Sequence, residues 1–205
     1  MILEEREVLL ISCNVSSLVI DTLCKQAEER NAGVASFYFD FAAPQEQSPT
    51  VVLGSVLKQI IGGLGKVPEE IVKAYRERAV GAPKLVLSKI VEFLQDITSS
   101  RPSFICIDAL DECQEGYRLK LLDLLNQILQ KSPGARLFVT GRPHIRTEIE
   151  KRLAGRAAIR SITPTKNDII TFLRAKLGED TMPDAMDKGL EEEIIGNLPG
   201  TVSQM

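Results

Sequence analysis

The chain has 205 residues, 44% of them hydrophobic and 26% charged, with a formal net charge of -3. That length suits one compact domain with a small appendage and leaves no room for two full-sized domains. The apolar share excludes disorder as a description of the whole, and so weak an acidic balance gives no electrostatic footprint for nucleic acid or an anionic membrane, so no nucleic-acid partner is expected. No apolar run approaches the roughly 20 residues of a membrane span. The start, Met-Ile-Leu-Glu-Glu-Arg-Glu, is acidic where a secretory signal is basic. Cys13, Cys24, Cys106 and Cys113 show no Cys-x-x-Cys spacing and His144 is the single histidine, so a zinc site lacks ligands. A reduced, cytoplasmic protein is expected.

In chain order, the first expected strand is Val8–Ser12, followed by a helix whose apolar face is Val15, Leu18, Val19 and Leu23. A second strand is expected over Val34–Phe41, then a loop over Ala42–Thr50 rich in Pro, Gln and Ser. Val52, Leu53, Val56, Leu57, Ile60, Ile61 and Leu64 mark a second helix, and Ile71, Val72 and Tyr75 a third. Leu87, Ile90, Val91, Leu94 and Ile97 mark a fourth, starting after Pro83. The strand Ser103–Asp108 follows, then a fifth helix around Leu121, Leu122, Leu125, Ile128 and Leu129, then the strand Arg136–Thr140. Short helices are expected near Ile145–Leu153, Asn167–Leu177 and Asp184–Gly196, with a weaker fifth strand at Ala157–Ile162. Near-continuous apolar strands alternating with helices imply an α/β fold: a parallel sheet of about five strands with helices on both faces. The pattern turns all-helical after Thr163-Pro164, so residues 1–162 are expected to form the core and 163–205 the start of a helical subdomain.

The segment Phe104-Ile105-Cys106-Ile107-Asp108-Ala109-Leu110-Asp111-Glu112-Cys113 carries the most chemistry. A buried strand runs into three carboxylates, and ligands of open parallel sheets sit at the carboxyl ends of strands. A carboxylate there can hold Mg²⁺ through water, and a second can polarise an attacking water. The alternative is a solvated acidic turn favouring the next helix N-terminus. In Leu137-Phe138-Val139-Thr140-Gly141-Arg142-Pro143 another buried strand ends in a hydroxyl, a glycine and a cation. With the two strands side by side, Thr140 and Arg142 would face the crevice of Asp108, where a guanidinium can contact a phosphate.

FYFDF at Phe37–Phe41, DALDEC at Asp108–Cys113 and TGRP at Thr140–Pro143, in this order and separation, resemble the NACHT-type NTPase module of STAND signalling ATPases. The form most similar is the nephrocystin-like N-terminal subgroup of fungal NLR-like proteins. SSLVIDTLCKQ, from Ser16, resembles the helix that follows the phosphate-binding loop there, so the resemblance spans roughly Val8 to Ile162. It implies a P-loop NTPase-like sheet and an ATP- or GTP-binding switch using Mg²⁺. It further implies that Asp108 binds the ion through water, Asp111 supports it, Glu112 positions the attacking water and Arg142 senses the γ-phosphate; Thr140, facing the same crevice, is expected to line the nucleotide site with Arg142.

The chain departs from this family at one place. A P-loop needs G-x-x-x-x-G-K-[ST] between first strand and helix, so that backbone N–H groups wrap the phosphates and the lysine reaches the β/γ oxygens. Here Cys13-Asn14-Val15-Ser16-Ser17 occupies the junction; the first glycine is Gly33 and the first lysine Lys25. Gly62-Gly63-Leu64-Gly65-Lys66 follows a helix and reads as a helix stop. Weak or absent nucleotide binding is therefore expected, either in a degenerate relative or in a truncated or misassembled version of a longer, active protein. A non-catalytic scaffold, with protein partners or self-association, is the second reading. A metal-dependent hydrolase using Asp108, Asp111 and Asp40 is the third. His144 reads as a surface residue, Cys106 and Cys113 as packing, and Glu191-Glu192-Glu193 as a solvated helix face.

Overall fold

The computed structural model describes residues 8–11, 16–42, 47–76, 85–153, 156–160, 165–178 and 188–202. Ser12, the Cys13–Val15 junction, part of the Ala42–Thr50 loop, Pro83, Thr163-Pro164 and the expected helix start at Asp184 lie outside them. Contacts divide the chain into two units, Met1–Ser161 and Ile162–Met205.

The first unit is built on five strands: β1 (Val8–Ile11), β2 (Gly33–Tyr38), β3 (Ser103–Asp108), β4 (Ala135–Thr140) and β5 (Ala157–Ile159). They form one sheet in the order β2-β3-β4-β1-β5, and every neighbouring pair is parallel. The helices between them are α1 (Ser16–Arg30), α2 (Pro49–Gly62), α3 (Glu69–Arg76), α4 (Leu87–Ser100), α5 (Glu115–Lys131) and α6 (Arg146–Arg152). The second unit contains α7 (Lys166–Gly178) and α8 (Lys188–Val202). No helix among the described residues is long and apolar enough to cross a membrane.

Alternation along β3 and β4 sorts side chains to the two sheet faces. Ile105, Ile107, Leu137 and Val139 join α2, α4 and α5 in the main core, where Leu53, Ile60, Leu94, Leu121 and Leu125 are fully buried. Cys106 and Phe138 form a smaller cluster on the opposite face with Val19, Ile20 and Leu23 of α1. Burying a leucine- or isoleucine-sized side chain is worth about 1.5–3 kcal/mol, so the main core supplies most of the driving force.

Three expectations shift. The inward stripe of α1 is Ser16, Val19, Ile20, Leu23 and Ala27, whereas Leu18 is 66% exposed. Three consecutive apolar residues, Leu18 to Ile20, with Val15 close by, let two helical faces compete in the sequence, and Ser16 is an inward position that hydropathy does not mark. Strand β2 stops at Tyr38 rather than Phe41, because the chain turns at Asp40, where Gln47 exchanges hydrogen bonds with the backbone (3.2 and 2.7 Å). Strand β5 ends at Ile159. The Gly62–Lys66 run ends α2, with the Gly63 N–H bonded to the carbonyls of Gln59 and Ile60, each at 3.2 Å.

Candidate functional site

Parallel strands bring their carboxyl ends to one rim, so Asp108 and Thr140 close adjacent strands there. Thr140 is fully buried and donates its hydroxyl proton to Asp108 Oδ1. The same hydroxyl accepts the Ala109 N–H at 2.9 Å. A buried hydroxyl with both roles filled fixes the Asp108 carboxylate against the tip of β4. On its other side β4 pairs with β1, with Ile11 level with Thr140. Thr140 therefore stands between the acidic strand and the end of β1.

After Asp108 the chain turns sharply. Ala109 adopts a left-handed φ of 53°, a conformation that costs a non-glycine residue roughly 1–2 kcal/mol and is often found at functional sites. A 3₁₀ turn, Leu110–Glu112, follows. Its two acids go to different partners. Asp111, whose side chain is 4% exposed, turns toward the next strand's loop: Oδ1 accepts the Arg142 N–H at 3.2 Å and Oδ2 lies 3.4 Å from Arg142 Nε. Glu112 turns the other way, where Oε2 accepts the Phe41 N–H at 3.0 Å. The acidic turn is thereby tied to the loops after both neighbouring strands.

Gly141 makes the Asp111 contact possible. A Cβ there would stand 3.3 Å from Asp111 Oδ1 and 2.7 Å from Cδ1 of the fully buried Ile145. Arg142 itself is 72% exposed and its guanidinium reaches outward past Asp111.

Two residues not singled out from the sequence hold the turn from beneath. Arg118 in the first turns of α5 is buried, and its Nη1 donates to the carbonyls of Cys113 (2.7 Å) and Asp111 (3.4 Å). Its Nε and Nη2 grip the carboxylate of Glu148 in α6 at 2.7 and 2.9 Å. The hydrogen bond to Arg118 holds the Glu148 carboxyl below its ordinary range. A readable signal existed: Arg118 lies on the line of the apolar stripe Leu121, Leu122, Leu125, at a helix N-terminus where a solvated cation is unfavourable.

The remaining candidates have plain structural roles. Asp40 Oδ1 accepts the Ala42 N–H at 2.8 Å, which fastens its own turn. His144 is exposed. Burial pushes the Cys106 thiol up to about 12 and the Cys113 thiol up to about 11, so neither is an activated nucleophile.

The donor set fits half of a magnesium–nucleotide site. Asp108 keeps one carboxylate oxygen beyond its bond to Thr140, and Arg142 offers an exposed cation. Asp111 is engaged with Arg142, not with Asp108, and among the described residues no three metal-capable groups converge, Asp40 included. The phosphate half has no counterpart in the composition of the β1–α1 junction, where residues 12–15 include neither glycine nor lysine.

Known structures share this architecture. The ORC1 protein of Aeropyrum pernix, solved in complex with DNA, matches with a TM-score of 0.53 at 17% identity, over 85% of this chain and 44% of that one. A Walker-type ATPase of Pyrococcus abyssi matches with a TM-score of 0.49 at 13% identity, over 97% and 61%. Drosophila ORC bound to AT-rich DNA and Cdc6 matches with a TM-score of 0.48 at 12% identity, over 85% and 58%. This chain thus spans between 44% and 61% of those chains. Comparison with curated proteins gave no match. The parallel sheet, its strand order and the likeness to ORC1 define a P-loop NTPase-like α/β fold. Within that class the chain belongs to the nephrocystin 3 N-terminal family, whose profile matches residues 14–142.

The exclusion of nucleic acid drawn from net charge does not stand. A chain similar in structure, ORC1 of Aeropyrum pernix, was solved in complex with DNA. A net charge of -3 sums the whole surface, whereas binding is governed by how charge is distributed on one face.

Proposed function

We propose that this chain is a nucleotide-switch module of the NACHT/STAND kind whose ATP or GTP binding and hydrolysis are impaired. One observation carries the reading: the acid side and the cation side of a nucleotide site meet at one sheet rim, through Asp108–Thr140 and Asp111–Arg142, while the adjoining β1–α1 junction lacks the residues that cradle phosphate. Asp108 would hold Mg²⁺ through water beside Thr140, and Arg142 would meet the terminal phosphate. Asp111 and Glu112, suited by type to support the ion and orient water, are each engaged with a backbone N–H of a neighbouring loop. That engagement favours a quiescent site. Without several charge-assisted phosphate contacts, triphosphate affinity falls by several kcal/mol. The fold then serves chiefly as a scaffold, and an intracellular location goes with its free Cys24, Cys106 and Cys113.

The test is restoration. A glycine-rich G-x-x-x-x-G-K segment placed before Ser16 should bring a fluorescent ATP analogue with Mg²⁺ into micromolar binding, and Asp108→Ala in that background should weaken it. A restored loop that leaves the protein folded yet unable to bind would argue against a nucleotide site at this rim.

A further inference from the structure

A cavity lies between α2, α3 and the residues leading into α4 in the first unit. Helix α3 is short and amphipathic, but none of its residues is buried. Its apolar positions Ile71 and Val72 instead wall a cavity of about 520 Å³ whose other sides are Leu57 and Ile61 of α2 and Leu85 and Ile90 at the start of α4. That volume lies within the roughly 300–1,000 Å³ of small-molecule sites. Residues 77–84, between α3 and α4, lie outside the described residues.

Two observations say what kind of ligand the cavity suits. The first is Gly54, in the middle of α2. Glycine there costs about 1 kcal/mol of helix stability relative to alanine. No tight approach requires it: a Cβ would find only Ile90 Cδ1 within 4 Å, at 3.8 Å, an ordinary contact. The missing side chain leaves open the space that the cavity occupies. The second is charge. Among the described residues the lining includes Lys58 and Arg76, both exposed, and no acid; the acids of α3, Glu69 and Glu70, line a neighbouring depression that Arg76 also borders. An apolar hollow whose described charged lining is two cations is complementary to an amphiphile with a negative head. A snorkelling Lys or Arg keeps its charge in water while its stem lies along the apolar wall.

We infer that this cavity binds a free long-chain carboxylate, its alkyl chain between α2 and α3 over Gly54 and its head between Lys58 and Arg76. This goes beyond the nucleotide-switch reading and does not depend on it.

Calorimetric titration of the full chain with monomeric decanoate, undecanoate and dodecanoate tests it. The expected result is one ligand per chain, with each added methylene tightening binding about fourfold. Gly54→Leu should weaken binding by more than about tenfold with the circular dichroism spectrum unchanged. Exchange of both cations, Lys58→Glu with Arg76→Glu, should weaken the carboxylate about fivefold and improve dodecyltrimethylammonium instead. These two residues are exposed, so this variant decides the matter should Gly54→Leu fail to fold. No saturable binding up to the solubility limit overturns the inference, as does affinity indifferent to both variants. Binding confined to anionic lipid vesicles, or to an acidic helical peptide while dodecanoate does not bind, overturns it in favour of a surface for those partners.

Discussion

Arg118 grips both carboxylate oxygens of Glu148, at 2.7 and 2.9 Å, while the same guanidinium holds the carbonyl of Cys113 at 2.7 Å. One buried cation thereby joins the acidic turn after β3 to helix α6, which follows the Arg142 loop. The two halves of the candidate site are held together from below by this contact. Arg118→Met should destabilise the fold by about 2–3 kcal/mol in urea titration, because carbonyls and a carboxylate lose their partner. Arg118→Lys should recover little, since an ammonium cannot reproduce the forked geometry.

The same pair sets a pH dependence. The Glu148 carboxyl is held below its ordinary value near 4.5 by Arg118. A depressed carboxylate contributes stability that is present above its unfolded value and is lost as pH falls through the folded one. Urea midpoints should therefore be level from neutrality to about pH 5 with respect to this group, then fall. Glu148→Gln should lower the neutral midpoint and flatten the acid limb. An acid limb as steep as that of the native chain would remove Glu148 from the account.

Thr140 fills both hydrogen-bonding roles at the tip of β4. Thr140→Val keeps the shape but strands a buried carboxylate oxygen and the Ala109 N–H, at about 2–4 kcal/mol. Thr140→Ser keeps the hydroxyl and should lose about 1 kcal/mol for the missing methyl. Chemical denaturation of the two variants separates the hydroxyl's contribution from that of packing.

Gly141→Ala should disturb the Asp111–Arg142 contact, because the added methyl would stand 2.7 Å from Ile145 Cδ1 and 3.3 Å from Asp111 Oδ1. Overpacking of this kind costs about 1–3 kcal/mol. The expected signature is a lower urea midpoint together with faster amide exchange at Arg142, whose N–H Asp111 accepts.

Gln59 protects the sheet's edge. Its amide donates to the Ser36 carbonyl at 2.8 Å and accepts the Ser36 N–H at 3.0 Å, pairing both backbone groups of this edge-strand residue as a neighbouring strand would. Bare strand edges invite pairing between molecules. Gln59→Ala should lose about 1 kcal/mol and aggregate faster at equal concentration, read by light scattering. Unchanged aggregation would mean that the edge is shielded in another way.

Much of this architecture is legible in the residues. Ser103–Asp108 is the strand expected, because a continuous apolar run leading into Asp-Ala-Leu-Asp-Glu has no competing helical period. The juxtaposition of Asp108, Thr140, Asp111 and Arg142 at one rim follows from parallel strands side by side. What stayed hidden was direction. Sequence order does not say that Asp111 turns to Arg142 while Glu112 turns to Phe41, because the left-handed Ala109 and the 3₁₀ turn after it decide where each carboxylate points. Arg118 and Gln59 were missed because polar residues beside apolar stripes read as solvated until their partners, distant in sequence, are known.

The most direct measurement is equilibrium titration of the native chain with a fluorescent ATP analogue and Mg²⁺, repeated with Asp108→Ala and Arg142→Ala. The account predicts no saturable binding below millimolar nucleotide and no difference among the three proteins. Micromolar binding by the native chain, weakened by either substitution, would contradict the claim that its nucleotide site is impaired.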